Sequence, residues 1–129
     1  MYTVVYNACY GGFNLSLKAV NWLEQNAKDE TLRKYIKEHL SYIKQSNVAI
    51  LSSKDGLICY AVSDYFRDKR HHKDLVAVVE ALGNDADGDC SELCIAHISG
   101  NQYRIESYDG AEEVITPEEL DWIFIKDGE

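Results

Sequence analysis

Proline occurs once in the chain, at position 117, and no stretch is dominated by a few residue types. Neither feature belongs to a disordered arm, so the whole chain is expected to fold. Basic residues are scarce as well: 13 Lys and Arg stand against 22 Asp and Glu, for a formal net charge of -9. Such a field repels polyanions and argues against duplex nucleic acid or an anionic membrane as a partner, while leaving room for a compact local basic site. Long apolar runs are missing too. Stretches such as Val48 to Leu51 are far too short to span a bilayer, and no charged segment leads into an apolar one at the N-terminus. A cytoplasmic protein is the expectation. The four cysteines (Cys9, Cys59, Cys90 and Cys94) lack the second close pair of a zinc knuckle, and a domain of this size needs no disulfides, so buried reduced thiols are expected.

What is present is the composition of one globular domain. With 129 residues, 46% of them hydrophobic, the chain is long enough to bury roughly two-thirds of its unfolded surface, and a single compact domain over 1–129 is expected. Tyr2 to Tyr6 is β-branched and aromatic, which favours a strand ended by Gly11 and Gly12. Ala19, Val20, Leu23 and Ala27 recur at helical spacing after a cap at Asn14 or Ser16. Asp29 caps a second helix with Leu32, Tyr35, Ile36, Leu40 and Ile43 on its apolar side. Asn47 to Ser53 and Leu57 to Val62 flank the turn signal Lys54-Asp55-Gly56 and predict a hairpin. Asp74 is placed to cap a third helix, closed by Gly83 in a left-handed conformation. Glu92 to Ile98, Tyr103 to Tyr108 and Glu112 to Ile115 predict a three-stranded meander, and Thr116-Pro117-Glu118-Glu119 a capping box for a last helix docked through Trp122 and Phe124. Strands and helices do not alternate regularly. The expected class is therefore α+β, an antiparallel sheet of hairpins and a meander with about three to four helices on one face.

Three segments carry residues suited to chemistry. The first runs from Tyr6 to Ser16, where Asn7, Tyr10, Gly11, Gly12 and Phe13 combine aromatic faces with a glycine turn before a helix. Glycines let backbone amides approach a ligand, and a helix N-terminus favours an anion, yet a tight turn with aromatic packing has the same sequence. Neither a P-loop lysine nor a dinucleotide fingerprint is present. The second segment, Arg67 to Asp74, gathers basic residues in an acidic chain. Arg67 and Arg70 suit a phosphate, and His71, His72 and Asp74 suit a metal or an acid–base pair, although neighbouring histidines on a strand face opposite ways. A solvated loop has this composition too. The third segment alternates Arg104, Glu106 and Tyr108 on one face, with Asp109 following, as either a pocket wall or the wet side of a sheet. No nucleophile signature is present, so catalysis is not indicated, and no cofactor or metal is expected.

The strings Tyr6-Asn7-Ala8-Cys9-Tyr10-Gly11-Gly12-Phe13, His71-His72-Lys73-Asp74-Leu75-Val76 with Leu82-Gly83, and Tyr103 to Gly110 resemble a family of small phage and prophage proteins. Family members carry a proline before the helix where this chain has Lys73. The resemblance implies a phage protein acting in the cytoplasm of a bacterial host. By analogy with phage proteins that counter host defence, it implies capture of a nucleotide-derived immune signal, of cyclic nucleotide or cyclic ADP-ribose type, by a homo-oligomer. On that reading Tyr10 and Phe13 stack a base, Gly11 and Gly12 admit it closely, and Arg67, Arg70 and Arg104 hold phosphate. Glu106 or Asp109 then contacts ribose or base. The alternatives are an enzyme that hydrolyses the signal, with His71 or His72 as acid or base, and an acidic inhibitor that binds a host protein.

Overall fold

A computed structural model of the chain describes residues 2–45, 54–89 and 91–117. Within them the elements run β1 (Tyr2–Asn7), α1 (Leu17–Asn26), α2 (Glu30–Gln45), α3 (Lys54–Tyr65), α4 (Lys73–Leu82), a 3-10 turn (Gly83–Ala86), β2 (Leu93–Ile98), β3 (Arg104–Tyr108) and β4 (Ala111–Ile115). The fold is α+β, as its patterning predicts. None of the described helices is long and apolar enough to cross a membrane.

The helices form where capping and periodicity agree. Ser16 caps α1 by accepting from Ala19 N at 3.1 Å, and Asp29 caps α2 by accepting from Thr31 N at 2.9 Å. Their buried stripes are Ala19, Val20 and Leu23 on α1, and Leu32 and Ile36 on α2. The side chains of Leu40 and Ile43 lie outside the described part. Helix α1 touches α2, α3 and α4, and this bundle shares one apolar core with Val5 of β1 and Leu93 of β2. Burying a side chain such as Leu23 or Phe66 contributes about 1.5–3 kcal/mol each, which fixes the bundle far more firmly than helix propensity does.

Five expectations are corrected. The segment 54–65 is helix α3, not the turn and second arm of a hairpin. Its buried residues Ile58, Cys59 and Val62, continued by Phe66, are spaced for one helical face, and that burial outweighs the Asp-Gly turn signal. The first arm, Asn47 to Ser53, lies outside the described residues. The meander is split: β2 pairs antiparallel with β1, Val4 opposite Ala96, while β3 pairs only with β4 among the described strands. Asp74 does not cap α4. His72 does, its Nδ1 accepting from Asp74 N at 3.0 Å, because the Asp74 carboxylate is turned inward onto Lys28 N and Asp29 N. Gly83 has positive φ but ψ of -127°, so it leads into the 3-10 turn rather than closing a left-handed cap. Of the thiols, Cys59 is buried as expected, whereas Cys9 and Cys94 are half-buried. Cys90, the segment Glu118 to Glu129 and the expected docking of Trp122 and Phe124 lie outside the described residues.

Candidate functional site

The β1 strand, the α1–α2 link and the loop into α4 meet around a cleft of about 810 Å³. Tyr2 and Thr3 enter from β1, Lys28 and Asp29 from the link, and Lys69, His71, His72 and Lys73 from the loop, with Val76 behind them on α4. This volume lies within the usual range for small-ligand sites. The loop is a chain of tight turns, with Lys69 N donating to Phe66 O and His72 N to Lys69 O, each at 2.9 Å. The turning sends neighbouring side chains opposite ways: Phe66 and Arg70 are buried, while Arg67, Lys69, His71 and Lys73 are exposed.

At the cleft rim, Asp29, His72 and Asp74 place ligand-type atoms within 4.8 Å of one another. Those atoms already serve the fold. Asp74 accepts from two backbone amides at 2.9 and 3.0 Å, and Asp29 accepts from the start of α2. His72 takes the Asp74 amide on Nδ1 and meets Asp29 Oδ2 through Nε2 at 2.9 Å. This arrangement assigns the His72 proton to Nε2. The Asp29 carboxyl is held below its ordinary value, first by the His72 hydrogen bond and then by the Leu32 and Thr31 amides, against the opposing effect of burial. The cluster thus laces the starts of α2 and α4 together, and three lysines around it oppose a cation.

Those lysines are available. Among the described residues, no carboxylate lies within ion-pair distance of Lys28, Lys69 or Lys73. Lys69 Nζ lies 4.4 Å from the centre of the Tyr65 ring, and Tyr2 is 52% exposed beside the cleft. Beyond His71 lies a second basin of about 410 Å³, walled by Arg67, Asp68, His71, Tyr103 and Arg104. His71 Nδ1 is 2.7 Å from the Tyr103 hydroxyl, and the two rings meet edge to face.

The fold therefore brings Arg104 to the same basin as Arg67, Arg70 and His71, and places His71 and His72 on the cleft. Arg70 is turned inward: it is 2% exposed, makes both Nη contacts to Glu112 at 2.6 and 2.8 Å, and lies over the Phe13 ring at 3.9 Å. Phe13 is buried beneath it. Asn7 is fully buried, donating to Cys9 O and Gly110 O at 2.6 and 2.8 Å and accepting from Glu92 N. Gly11 and Gly12 pack against the β3–β4 turn, with Gly11 N donating to Asp109 O at 3.3 Å. Tyr10 is 66% exposed but lines neither basin, and Glu106 is paired with Arg104 at 2.7 Å. Tyr2 and Lys28 carry no local signal in the sequence, since an N-terminal aromatic and an isolated lysine are commonplace. Lys69 and Lys73 sit inside the charged segment, where only the arginines and histidines had a stated role.

No family model, no curated protein and no solved structure matches the chain. The functional reading therefore rests on this geometry.

Proposed function

We propose that the protein binds a small, phosphorylated, nucleotide-like molecule in the cleft between β1 and the start of α4, and holds it without converting it. The observation that carries this reading is the set of unneutralised cations, Lys28, Lys69 and Lys73, around one concave surface of a chain with net charge -9. A cleft lined by cations that no carboxylate neutralises concentrates anions, even on a protein whose net charge repels them elsewhere. Tyr2 offers a flat face for a base, and His71 a ring donor at the far end. Holding rather than hydrolysing fits His72, whose two ring nitrogens are both engaged within the fold, so it is not free to move a proton to a ligand. The likeness of the motif strings to small phage proteins supplies a setting in which such capture removes a nucleotide-derived immune signal in the host cytoplasm.

The test is to mix purified protein with a panel of nucleotides, cyclic dinucleotides and ADP-ribose derivatives, and to chromatograph the filtrate before and after heat denaturation. Loss of one compound and its intact return on heating is the expected result. A new product peak replaces this reading with an enzyme, and an unchanged filtrate across the panel sinks it. The Lys28→Gln/Lys73→Gln variant is expected to leave the filtrate unchanged while keeping its fold.

A further inference from the structure

The cleft does not end at His71. That residue lines both the cleft and the neighbouring basin, so the two share a wall one imidazole thick. Tyr103 fixes the ring in this wall. Its hydroxyl lies 2.7 Å from His71 Nδ1, and the two rings meet edge to face, which leaves Nε2 as the ring nitrogen free to meet a ligand.

The basin beyond is edged by two guanidinium groups whose pairing is partial. Among the described residues, Arg67 hydrogen-bonds Asp64 through Nε, at 3.0 Å, and Arg104 Nη2 lies 2.7 Å from Glu106. A guanidinium has five donors, so each retains free N–H groups, and Arg67 keeps both terminal nitrogens, the fork that grips a phosphate. Both pairs are solvent-exposed and of the kind that adds little stability, so rearranging either to meet a ligand costs little. Asp68 is the one acid among the residues lining this basin. Two basins edged by cations on either side of one fixed ring form a site for a ligand with charge at two separated places.

We propose that the arginine-edged basin is a second anion subsite, and that the ligand is a nucleotide carrying two phosphate groups separated by a nucleoside, laid across His71. This inference rests on the cleft reading above and narrows it from phosphorylated ligands in general to bis-phosphorylated ones with spaced charges.

Calorimetric titration with AMP, ADP and the linear dinucleotide pApA tests it. AMP has one phosphate, ADP has two adjacent phosphates, and pApA has two with a nucleoside between them. The wild-type protein is expected to bind pApA about tenfold tighter than either mononucleotide, a difference of about 1.4 kcal/mol. The Arg67→Gln/Arg104→Gln variant is expected to lose that advantage with AMP affinity unchanged, and Lys28→Gln/Lys73→Gln to weaken all three. Equal affinity of the wild type for the three, or an advantage that survives loss of both arginines, overturns the second subsite and leaves the cleft standing. No change in the lysine variant, or no binding of any probe, overturns both. Melting curves check the fold, and if the arginine double variant melts early, Arg104→Gln alone is read by the same criteria.

Discussion

Two polar networks join distant parts of this chain, one around Arg70 and Glu112, the other around Asp29, His72 and Asp74, and they differ in how far water reaches them. In the first, Arg70 and Glu112 side chains are 3% and 8% exposed, and Glu112 also accepts from Asn7 N at 2.8 Å. Asn7 then ties Cys9, Glu92 and Gly110 to one amide side chain. This network anchors the β3–β4 hairpin across the end of β1. In the second, Asp29 and His72 remain 33% and 15% exposed on the cleft wall. Both are well paired, but Arg70 reaches the edge of the smaller basin while almost wholly buried, whereas Asp29 and His72 stand open on the wall of the larger cleft. Charge in a sequence therefore has two destinations here: Arg70 is spent on architecture, and Lys28, Lys69 and Lys73, without a carboxylate partner among the described residues, line the cleft.

The comparison is broken most severely at the buried end. Glu112→Ala leaves the Arg70 guanidinium buried without its counter-charge, and a loss of about 3–5 kcal/mol in denaturant unfolding is expected. Replacing both partners, as Arg70→Met with Glu112→Leu, is expected to recover much of that loss, because the penalty belongs to the orphaned charge. A cost below about 1 kcal/mol for the single variant places the pair in contact with water and removes the contrast.

The next effect is at the crossing of the two glycine turns. A Cβ on Gly110, at φ of +90°, would meet Gly12 N, and Gly11 N at 2.6 Å, both of them backbone atoms that cannot step aside. Gly12, at φ of +97°, has nothing within 4 Å of its own Cβ position. Gly110→Ala is therefore expected to cost about 2–3 kcal/mol, and Gly12→Ala, which meets conformational strain alone, about 1 kcal/mol. Equal costs in thermal unfolding show that the hairpin turn does not rest on the glycine turn.

Most of the elements were legible because their signals are local. Ser16 and Asp29 cap the helices expected of them, and β1 and β2 to β4 lie close to the runs that predict them. Pairing was not legible, because it is decided by contacts remote in sequence. Tyr2 finds Ile98 across the sheet, and the β3–β4 hairpin is drawn onto β1 by the bond from Asn7 N to Glu112 instead of joining β2. The apolar run in α3 is too short to separate strand from helix unless the window extends to Phe66. For the site, composition marked Arg67, Arg70, His71, His72 and Arg104 alike. Only the turns of the 66–72 loop decide which of its members point inward.

The half-exposed network is sharpened by a substitution that spares its capping role. Serine at position 72 still caps a helix, but it lacks the ring donor to Asp29 and the ring edge packed on Phe66 and Tyr65, so His72→Ser is expected to cost at least about 1 kcal/mol near neutral pH, of which only the hydrogen-bond part depends on the Asp29 charge. The pH dependence gives the sign. The Asp29 carboxyl is lowered in the folded protein, chiefly by His72, so its contribution is present above the unfolded value of about 3.9 and is lost as pH falls through the lower folded value. With serine in place, the Asp29 pKa moves back towards the ordinary range and acid unfolding begins at higher pH. The stability gap between the two proteins therefore narrows as the solution is acidified through that window. A gap that stays constant there removes the Asp29 hydrogen bond as its source.

The smallest expected change in stability is also the one that bears most directly on function. Lys73 is exposed in the first turn of α4, at the end of a helix where a positive charge is unfavourable. Having no carboxylate partner among the described residues, it contributes no ion pair whose loss would be felt. Lys73→Gln is therefore expected to leave unfolding unchanged or to stabilise by a few tenths of a kcal/mol, roughly the size of one helix-dipole interaction at a surface. Its affinity for a phosphorylated ligand is expected to fall at least about tenfold, as loss of one charge-assisted contact predicts. On the proposed reading, a lysine that opposes its own helix and has no ion-pair partner among the described residues is there for a ligand. Should the variant bind as the wild type does, with the same melting curve, Lys73 is an ordinary surface charge, and the division between structural and ligand-facing cations fails at its most informative residue.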